Sequence, residues 1–210
     1  MAAFARWVMQ TRVMVLSHLL EVPSRSMKVV DTFLEVVLAL EPDIYSDDRG
    51  TFYESYNKFE FLALTGYDGA FDQDNHSTSK YGVIRGIHYQ FPNPQGKLVR
   101  CVEGKVWDVV VDLRESSPTL AQWAAFELSE QNMRLLWIPE GFGHGFAAMS
   151  PRAQLIYKTT AVWIADCDRT IRWNDPELAI DWPFGEEAIV SDKDRAAPPF
   201  NKALLMPGVS

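Results

Sequence analysis

Histidine and cysteine are scarce in this chain of 210 residues, which carries four histidines and two cysteines. No two histidines form a His-x-His pair, so the usual two-ligand beginning of a metal site is missing. Cys101 and Cys167 follow neither metal-binding nor redox spacing. We expect both to be buried thiols in a reducing compartment, which predicts a cytoplasmic protein.

Positive charge is also in deficit, with 20 Lys and Arg against 28 Asp and Glu and a net charge of −8. This balance argues against nucleic acid as the main partner. It leaves an anionic ligand open, because a few local cations can dominate one cleft.

The chain is poor in long apolar runs. The apolar stretch at 13–16 is too short to span a bilayer, and no membrane partner is expected. Residues 1–26 carry one acidic residue, Glu21, against three arginines. A targeting peptide would fit this composition, and so would an upstream start codon or a poorly packed appendage. We predict an N-terminal extension over 1–26 and one domain over 27–210.

Short β-rich segments fill most of the domain. Hydrophobic residues make up 47% of the chain and aromatic residues 12%, enough for a real core. Segments such as GTFYESY, KLVRCVEGKVWDVVVDL and HGFAAMS are separated by Gly, Pro, Ser and Asp turns, and helical periodicity is convincing only over 57–64. The pattern predicts a mainly β antiparallel sandwich or barrel, with the Trp-rich segment 172–198 wrapped over it.

The segment PEGFGHGF, residues 139–146, resembles the second motif of the cupin superfamily, whose β-barrels often hold a metal. The first cupin motif is broken here, because His88 is followed by Tyr89 and Gln90. A metal is therefore disfavoured, and with it a metal-dependent oxygenase. We expect a pocket that works with acids and bases.

Seven ordered segments are similar to the dTDP-4-dehydrorhamnose 3,5-epimerase family, from about Met27 to Pro199. They are DDRGTFYESYN, QDNHSTSKYGVIRGIHYQ, QGKLVRCVEGKVWDVVVDLRESSPT, LWIPEGFGHGF, LIYKTTAVW, WNDPELAIDWP and SDKDRAAP. The resemblance implies a cupin-like double-stranded β-helix, or jelly-roll barrel, without metal or cofactor. It also implies a homodimer and a dTDP-4-keto-6-deoxy sugar as substrate.

The chemistry of such a substrate requires three groups. A ketone at C4 acidifies the C–H bonds at C3 and C5, so an enzyme needs a base, an acid on the opposite face, and a cation near the enolate oxygen. By resemblance His88 is the base, Asp194 its carboxylate partner, Tyr157 the acid and Lys97 the cation. Without the resemblance, we would interpret His88 and Tyr157 as core residues whose polar atoms are hydrogen-bonded, and Lys97 as a surface lysine.

The resemblance also implies a set of substrate-binding residues. Arginines suit diphosphate oxygens, and an indole can stack on thymine where the family usually has a tyrosine. His144 is expected to line the sugar pocket, with the glycines beside it allowing a tight turn. The set comprises Arg49, Glu54, Gln73, Asn75, Arg85, His144, Trp163 and Lys193.

The segment VIRGIHYQ, residues 83–90, conflicts with regular strand geometry. On an even strand His88 shares a face with Gly86 and Gln90, whereas Arg85 points the other way. A bulge at Gly86 would bring both to one cavity, and we expect the polar residues of this segment, Gln90 included, to line it with His88 as the reactive one. Alternatively, Arg85 reaches across the dimer interface or the barrel rim.

Two other functions stay open at this point. Related enzymes invert C3 alone and share most of these residues, although Tyr157 favours inversion at both centres. A cupin-like module that binds a nucleotide sugar without turnover is the other alternative. Gly143, where the family usually has Ala, and a loop before Lys97 that is one residue shorter than usual are departures that would adjust the pocket.

Overall fold

The structure is a computed structural model that describes residues 26–207. The predicted extension over 1–26 lies outside the described residues except for Ser26, so it stays a prediction. No helix in the described range is long and apolar enough to cross a membrane.

Strands dominate the fold, as predicted. Their bounds are β1 Met27–Phe33, β2 Val37–Pro42, β3 Tyr45–Asp47, β4 Gly50–Phe52, β5 Gln73–Lys80, β6 Ile84–Gln90, β7 Lys97–Glu103, β8 Lys105–Asp112, β9 Trp123–Ser129, β10 Leu135–Ile138, β11 Phe142–Ala148, β12 Arg152–Thr159 and β13 Asp168–Thr170. Short 3₁₀ turns cover Ala165–Cys167 and Phe200–Lys202. The predicted strand in GTFYESY is limited to its first three residues, because the chain then turns into a helix.

The strands form two facing antiparallel sheets. One has six strands in the order β1-β2-β10-β7-β12-β5, and the other has five in the order β13-β6-β11-β8-β9. At Gly104, where φ is 73° and a Cβ would lie 2.1 Å from the Arg152 carbonyl oxygen, the chain passes from β7 in one sheet to β8 in the other. The predicted jelly-roll barrel is confirmed, and β3 and β4 form a separate hairpin outside it.

The barrel interior is apolar at its centre. Val99 from β7, Val110 from β8 and Leu155 from β12 are fully buried there, and they come from both sheets. The strand β8 is buried on both faces, so Val109 and Val111 enter a second core instead. That second core lies between the five-stranded sheet and the C-terminal segment.

The C-terminal segment wraps over the barrel, as predicted. Trp182 is buried in the second core and Trp173 packs against it, since large apolar rings leave water most favourably here. One short helix interrupts this segment, α2 at Asp192–Arg195, and Ser191 caps it by accepting a hydrogen bond from the Asp194 amide.

The helix predicted over 57–64 is observed as α1, Lys58–Thr65. The Asn57 side chain accepts hydrogen bonds from the first turn, and Gly66 ends the helix in the left-handed conformation at φ 74°. Phe61 packs edge-on against Trp137 on the outer face of the six-stranded sheet. This third core supports β7 and β10 from outside, and the interior face of β7 carries Lys97.

Candidate active site

A bulge in β6 directs the first polar residues into the barrel. His88 pairs with His144 of β11 and Arg85 pairs with Phe146, so β6 holds one residue more than its partner between those pairs. Gly86 lies in this bulge at φ 137°, and a Cβ there would fall 2.5 Å from the Gly145 Cα. The predicted bulge at Gly86 is therefore present, and only glycine fits the approach of the two strands.

The bulge brings His88 to a carboxylate from the far end of the chain. His88 Nε2 lies 2.5 Å from Asp194 Oδ1, and 106 residues separate them. Burial raises the pKa of Asp194, but the hydrogen bonds from His88, Ser191 and the Gly86 amide outweigh it and hold the pKa below its usual value. An ionised Asp194 keeps the proton on Nε2 and leaves Nδ1 of His88 free to accept one.

A second histidine–aspartate pair lies on the neighbouring strands. His144 Nε2 lies 2.9 Å from both carboxylate oxygens of Asp108, and neither side chain is appreciably exposed. Of the glycines around His144, Gly141 lies in the turn before β11 at φ 104°, whereas Gly143 and Gly145 lie within the strand. They are small because Ile87 packs against the position of their missing side chains.

A cavity of about 210 Å³ opens at this polar end of the barrel. Lys97 lines it from β7 and is nearly completely buried. Burial lowers the pKa of Lys97 to about 8, against the opposing charges of Asp108 and Asp168. Lys97 therefore presents a poorly solvated positive charge to the cavity at neutral pH.

Tyr157 faces the same cavity from the opposite sheet. It lies on β12 with Leu155 and Thr159 on its face, as the alternation predicts, whereas His88 comes from β6 in the five-stranded sheet. Burial raises the pKa of the Tyr157 phenol, and the positive charge of Arg85 opposes part of that rise. The phenol thus keeps its proton across the physiological range.

Many of the predicted site residues line this cavity together. The sequence expectation included His88, Lys97, Tyr157, Gln73, Asn75, Trp163 and Lys193, and all of them contribute to its wall. Asp194 and His144 stand next to lining residues without belonging to the lining.

Arg85 approaches the site within its own chain. Its Nε donates to Ser79 Oγ at 3.0 Å and its Nη2 to the Thr78 carbonyl at 3.2 Å, both on β5. Arg85 is exposed and does not line the cavity that holds His88, although its positive charge opposes part of the rise in the pKa of Tyr157.

Arg49 and Glu54 lie apart from the cavity in the single chain. Arg49 stands on the β3–β4 hairpin with its side chain 88% exposed, and it pairs with Asp47. Glu54 accepts a hydrogen bond from Ser26 Oγ at 2.6 Å. Neither residue lines the cavity that holds His88.

Several cavity residues escaped the sequence analysis. Tyr89, Gln95 and Asp168 also line the wall, and Asp168 forms an ion pair with Lys193. Asp108 offered a signal that could have been used: the alternation in VWDVVVD places it inward with Val106 and Val110. A carboxylate on a core-facing position needs a partner, which here is His144.

The part of the chain that the structure describes contains no preformed metal site. No group of three or more His, Cys, Asp or Glu side chains is close enough there to hold a metal ion. The expectation that the site works without metal or cofactor stays a prediction.

Comparison with known proteins identifies close similarities. A sequence profile of the family dTDP-4-dehydrorhamnose 3,5-epimerase matches residues 31–202. The dTDP-4-dehydrorhamnose 3,5-epimerase of Pseudomonas aeruginosa is 48% identical over 86% of this chain and all of its own length. The dTDP-6-deoxy-D-glucose-3,5-epimerase of Legionella pneumophila, solved with dTDP-4-keto-L-rhamnose, superposes with a TM-score of 0.84 at 44% identity, covering 88% of this chain and 99% of that one.

A similarity of another kind bears on reaction specificity. A 3′-monoepimerase of Streptomyces bikiniensis, solved with dTDP-quinovose, superposes with a TM-score of 0.74 at 33% identity. The match covers 79% of this chain and 84% of that one. The same barrel therefore also occurs in an enzyme described as inverting one centre.

Proposed function

This chain belongs to the dTDP-4-dehydrorhamnose 3,5-epimerase family of isomerases, and on that premise we propose which of its residues perform the reaction. The reaction inverts C3 and C5 of dTDP-4-dehydro-6-deoxy-D-glucose and yields dTDP-4-dehydro-L-rhamnose. One observation carries the assignment: His88 and Tyr157 face a common cavity from opposite sheets, with Lys97 on its wall.

His88 is the proposed base. Its contact with ionised Asp194 fixes one ring nitrogen as a donor and stabilises the imidazolium that forms after proton abstraction. Its side chain is 37% exposed toward the cavity, so a substrate carbon can reach the free nitrogen. The abstracted proton comes from C3 or C5, and the electron pair moves onto the C4 oxygen.

Tyr157 is the proposed acid that returns a proton from the other face. Its position on the opposite sheet supports this role, because inversion requires loss and return of the proton on different faces. Its raised pKa means that the phenol is protonated when the enolate forms.

Lys97 is the proposed partner of the enolate oxygen. A buried ammonium interacts strongly with developing negative charge, because little water screens it. Burial has already removed most of its hydration, so little reorganisation is needed during the reaction.

The remaining residues are proposed to hold the substrate. Trp163 offers a stacking surface for the base, and Lys193 and Arg85 suit the diphosphate, whereas His144 does not line the cavity and is not proposed to touch the sugar. Gln73 and Asn75 supply polar contacts from β5.

The substrate-binding roles of Arg49 and Glu54 are proposed together with the formation of a homodimer. Every residue of the β3–β4 hairpin is exposed, including Tyr45 at 57% and Phe52 at 68%. A two-stranded hairpin is marginally stable alone, and exposed aromatic groups favour association. A second copy covering this hairpin would bring Arg49 toward a neighbouring cavity, where it could bind phosphate.

Mixing two inactive variants tests this arrangement. If Arg49 serves the neighbouring cavity, co-refolded Arg49→Ala and His88→Ala chains should recover part of the activity that each lacks. A monomer by light scattering, or no recovery in dimers shown to be mixed, contradicts it.

We also propose a cytoplasmic location and a single domain over 27–210. The two cysteines are free and buried, which suits a reducing compartment. A fusion reporter would test the location, and limited proteolysis would test the domain boundary near residue 27.

Deuterium labelling tests the reaction itself. With the 4-keto substrate in heavy water, double epimerisation labels C3 and C5. Labelling at C3 alone would favour the monoepimerase alternative, which the similarity to the Streptomyces bikiniensis enzyme keeps as the second candidate. A binding module without turnover would label neither carbon.

A further inference from the structure

Three glutamines hold the backbone of the loop at residues 161–164. Gln95 Nε2 donates to the Ala161 carbonyl at 2.7 Å, and Gln90 Nε2 donates to the Val162 carbonyl at 3.2 Å. The next two residues bond through their amides: Trp163 donates to Gln73 Oε1 at 2.8 Å and Ile164 to Gln90 Oε1 at 2.6 Å. Four consecutive residues thus each bond to a glutamine side chain.

These glutamine side chains replace the backbone hydrogen bonds that a longer β12 would have made with its neighbouring strands. The strand β12 ends at Thr159, so the following peptide groups no longer pair with β5 and β7. Carboxamides carry the same donor and acceptor groups as a peptide bond and can satisfy them. Gln73 comes from the six-stranded sheet and Gln90 from the five-stranded sheet, so the loop is fastened to both.

Gln90 is the centre of this arrangement. It is 2% exposed, and besides its two bonds to the loop its Nε2 donates to the Asn93 carbonyl at 3.0 Å. Both segments beside the cavity, at Asn93 and at 162–164, therefore depend on one buried carboxamide. A buried group with its hydrogen bonds made is rigid, because breaking any of them leaves an unpaired polar atom.

The loop exposes an unusual run of apolar side chains at the cavity. Trp163 is 55% exposed although it lines the cavity, and Val162 and Ile164 beside it are exposed at 49% and 38%. A large ring that is more than half exposed contributes little to folding. Its fixed placement instead suits a flat ligand, since less freedom is lost on binding.

We propose that Gln90 and Gln95 are positioning residues that hold Trp163 preformed as the stacking surface for the nucleobase of the substrate. This inference rests on the proposed function and adds the determinant of nucleotide affinity. Neither glutamine needs to contact the base, because each acts through the backbone of the loop.

The variant Gln90→Glu tests this at constant shape. A carboxylate can still accept from the Ile164 amide, but it has no N–H for the Val162 and Asn93 carbonyls and repels them. Gln131→Glu is the matched control, because Gln131 is exposed and its carboxamide bonds only to Glu130 among the described residues.

The measurement is a double-mutant cycle on dTDP binding by calorimetry. Trp163→Ala should weaken binding roughly 5- to 150-fold, the range for loss of one base–aromatic stack. Gln90→Glu should weaken it by no more than that, and the double variant should bind within about twofold of Trp163→Ala alone. In turnover, Gln90→Glu should raise KM more than it lowers kcat, since the base is remote from the reacting carbons.

Additive losses in the double variant would mean that Gln90 contacts the ligand directly and would overturn the proposal. So would unchanged binding by Gln90→Glu. If that variant does not fold, Gln95→Met enters the same cycle, with an expected loss of roughly two- to fivefold for one hydrogen bond.

Hydrogen exchange keeps this proposal separate from the proposed function. The amides of Trp163 and Ile164 should exchange faster in Gln90→Glu than in the wild type, with no ligand present. Failure of the wild-type protein to bind dTDP would refute the proposed function, whereas unchanged exchange in the loop would refute the positioning role.

Discussion

Two histidine–aspartate pairs lie side by side at the five-stranded sheet, since His88 and His144 are cross-strand partners, Asp108 lies on β8 and Asp194 lies on α2. In the first pair the His88 side chain is 37% exposed, and in the second the His144 side chain is 8% exposed. The first histidine lines the cavity and the second does not. Equal chemistry in the two pairs is therefore combined with very unequal access to a substrate.

The two carboxylates, Asp194 and Asp108, also differ in the direction in which their pKa values are shifted. Asp194 has a pKa below its usual value despite burial, because His88, Ser191 and the Gly86 amide all donate to it. Burial raises the pKa of Asp108, and the charges of His144 and Lys97 offset only part of that rise. The comparison teaches that a base needs an ionised partner and an open face, and that the second pair suits a structural or electrostatic role.

The largest expected effect separates the two histidines. His88→Asn should lower kcat by roughly 10²- to 10⁴-fold, because it removes the general base, and dTDP affinity should change little. His144→Asn should lower kcat much less, since its ring does not line the cavity. Deuterium wash-in at C3 and C5 and dTDP calorimetry measure both, and near-normal exchange by His88→Asn would refute the assignment.

The next effect separates the two aspartates. Asp194→Asn should reduce kcat by about 100-fold, because the amide no longer stabilises the imidazolium and can hold the wrong tautomer. Asp108→Asn should cost less than about tenfold, since its histidine is closed off from the cavity. Equal losses in steady-state turnover would remove the functional distinction between the pairs.

A smaller effect concerns how Asp108 acts on Lys97. Lys97 has a pKa of about 8, so activity should fall as the pH rises through that value and the ammonium loses its proton. The charge of Asp108 raises the pKa of Lys97, and Asp108→Asn should therefore shift this alkaline limb to lower pH. Profiles of kcat/KM against pH measure the shift, with Lys97→Arg as the variant in which the limb disappears.

The smallest effect is on stability. Because the folded-state pKa of Asp194 is lowered, its contribution is present above the unfolded value of ~3.9 and is lost as the pH falls through the folded pKa. The raised pKa of Asp108 has the opposite sign: its contribution is present below the unfolded value and is lost as the pH rises through the folded pKa.

Thermal melts across pH should show this contrast. Asp194→Asn should lower Tm at neutral pH and flatten its acid dependence, whereas Asp108→Asn should leave Tm unchanged or raise it by about 2–4 °C. Shifts of the same sign in both variants would show that the two carboxylates have similar environments.

The sequence allowed much of the fold to be predicted, and part of the site. Alternation in the segments around Val110 and Leu155 and the short helical pattern near Phe61 predicted strands and a helix that are observed. The bulge at Gly86 followed from a conflict between spacing and function, because Arg85 and His88 could not share a regular face. Local rules of backbone geometry are readable from local sequence.

The missed residues share a physical reason. Asp168 and Gln95 look like ordinary polar side chains near turns, and only the assembled barrel gives them partners. The position of Arg49 shows a related limit, since the hairpin that carries it stands apart from the cavity. The role of a polar residue can be assigned only when its surroundings in the folded protein are known.

By itself, the sequence determined the β-rich architecture, the inward or outward face of residues on the regular strands, and the family resemblance, because these depend on periodicity and ordered motifs. The resemblance implied Asp194 as the partner of His88, but residue spacing could not show that contact across 106 residues, and only the tertiary structure decided that His144 meets a different carboxylate on the adjacent strand. It also decided which pair is open and which is closed. Burial and long-range contacts set the solvation of each carboxyl group, and solvation rather than residue type decides which pair can accept a proton from a substrate.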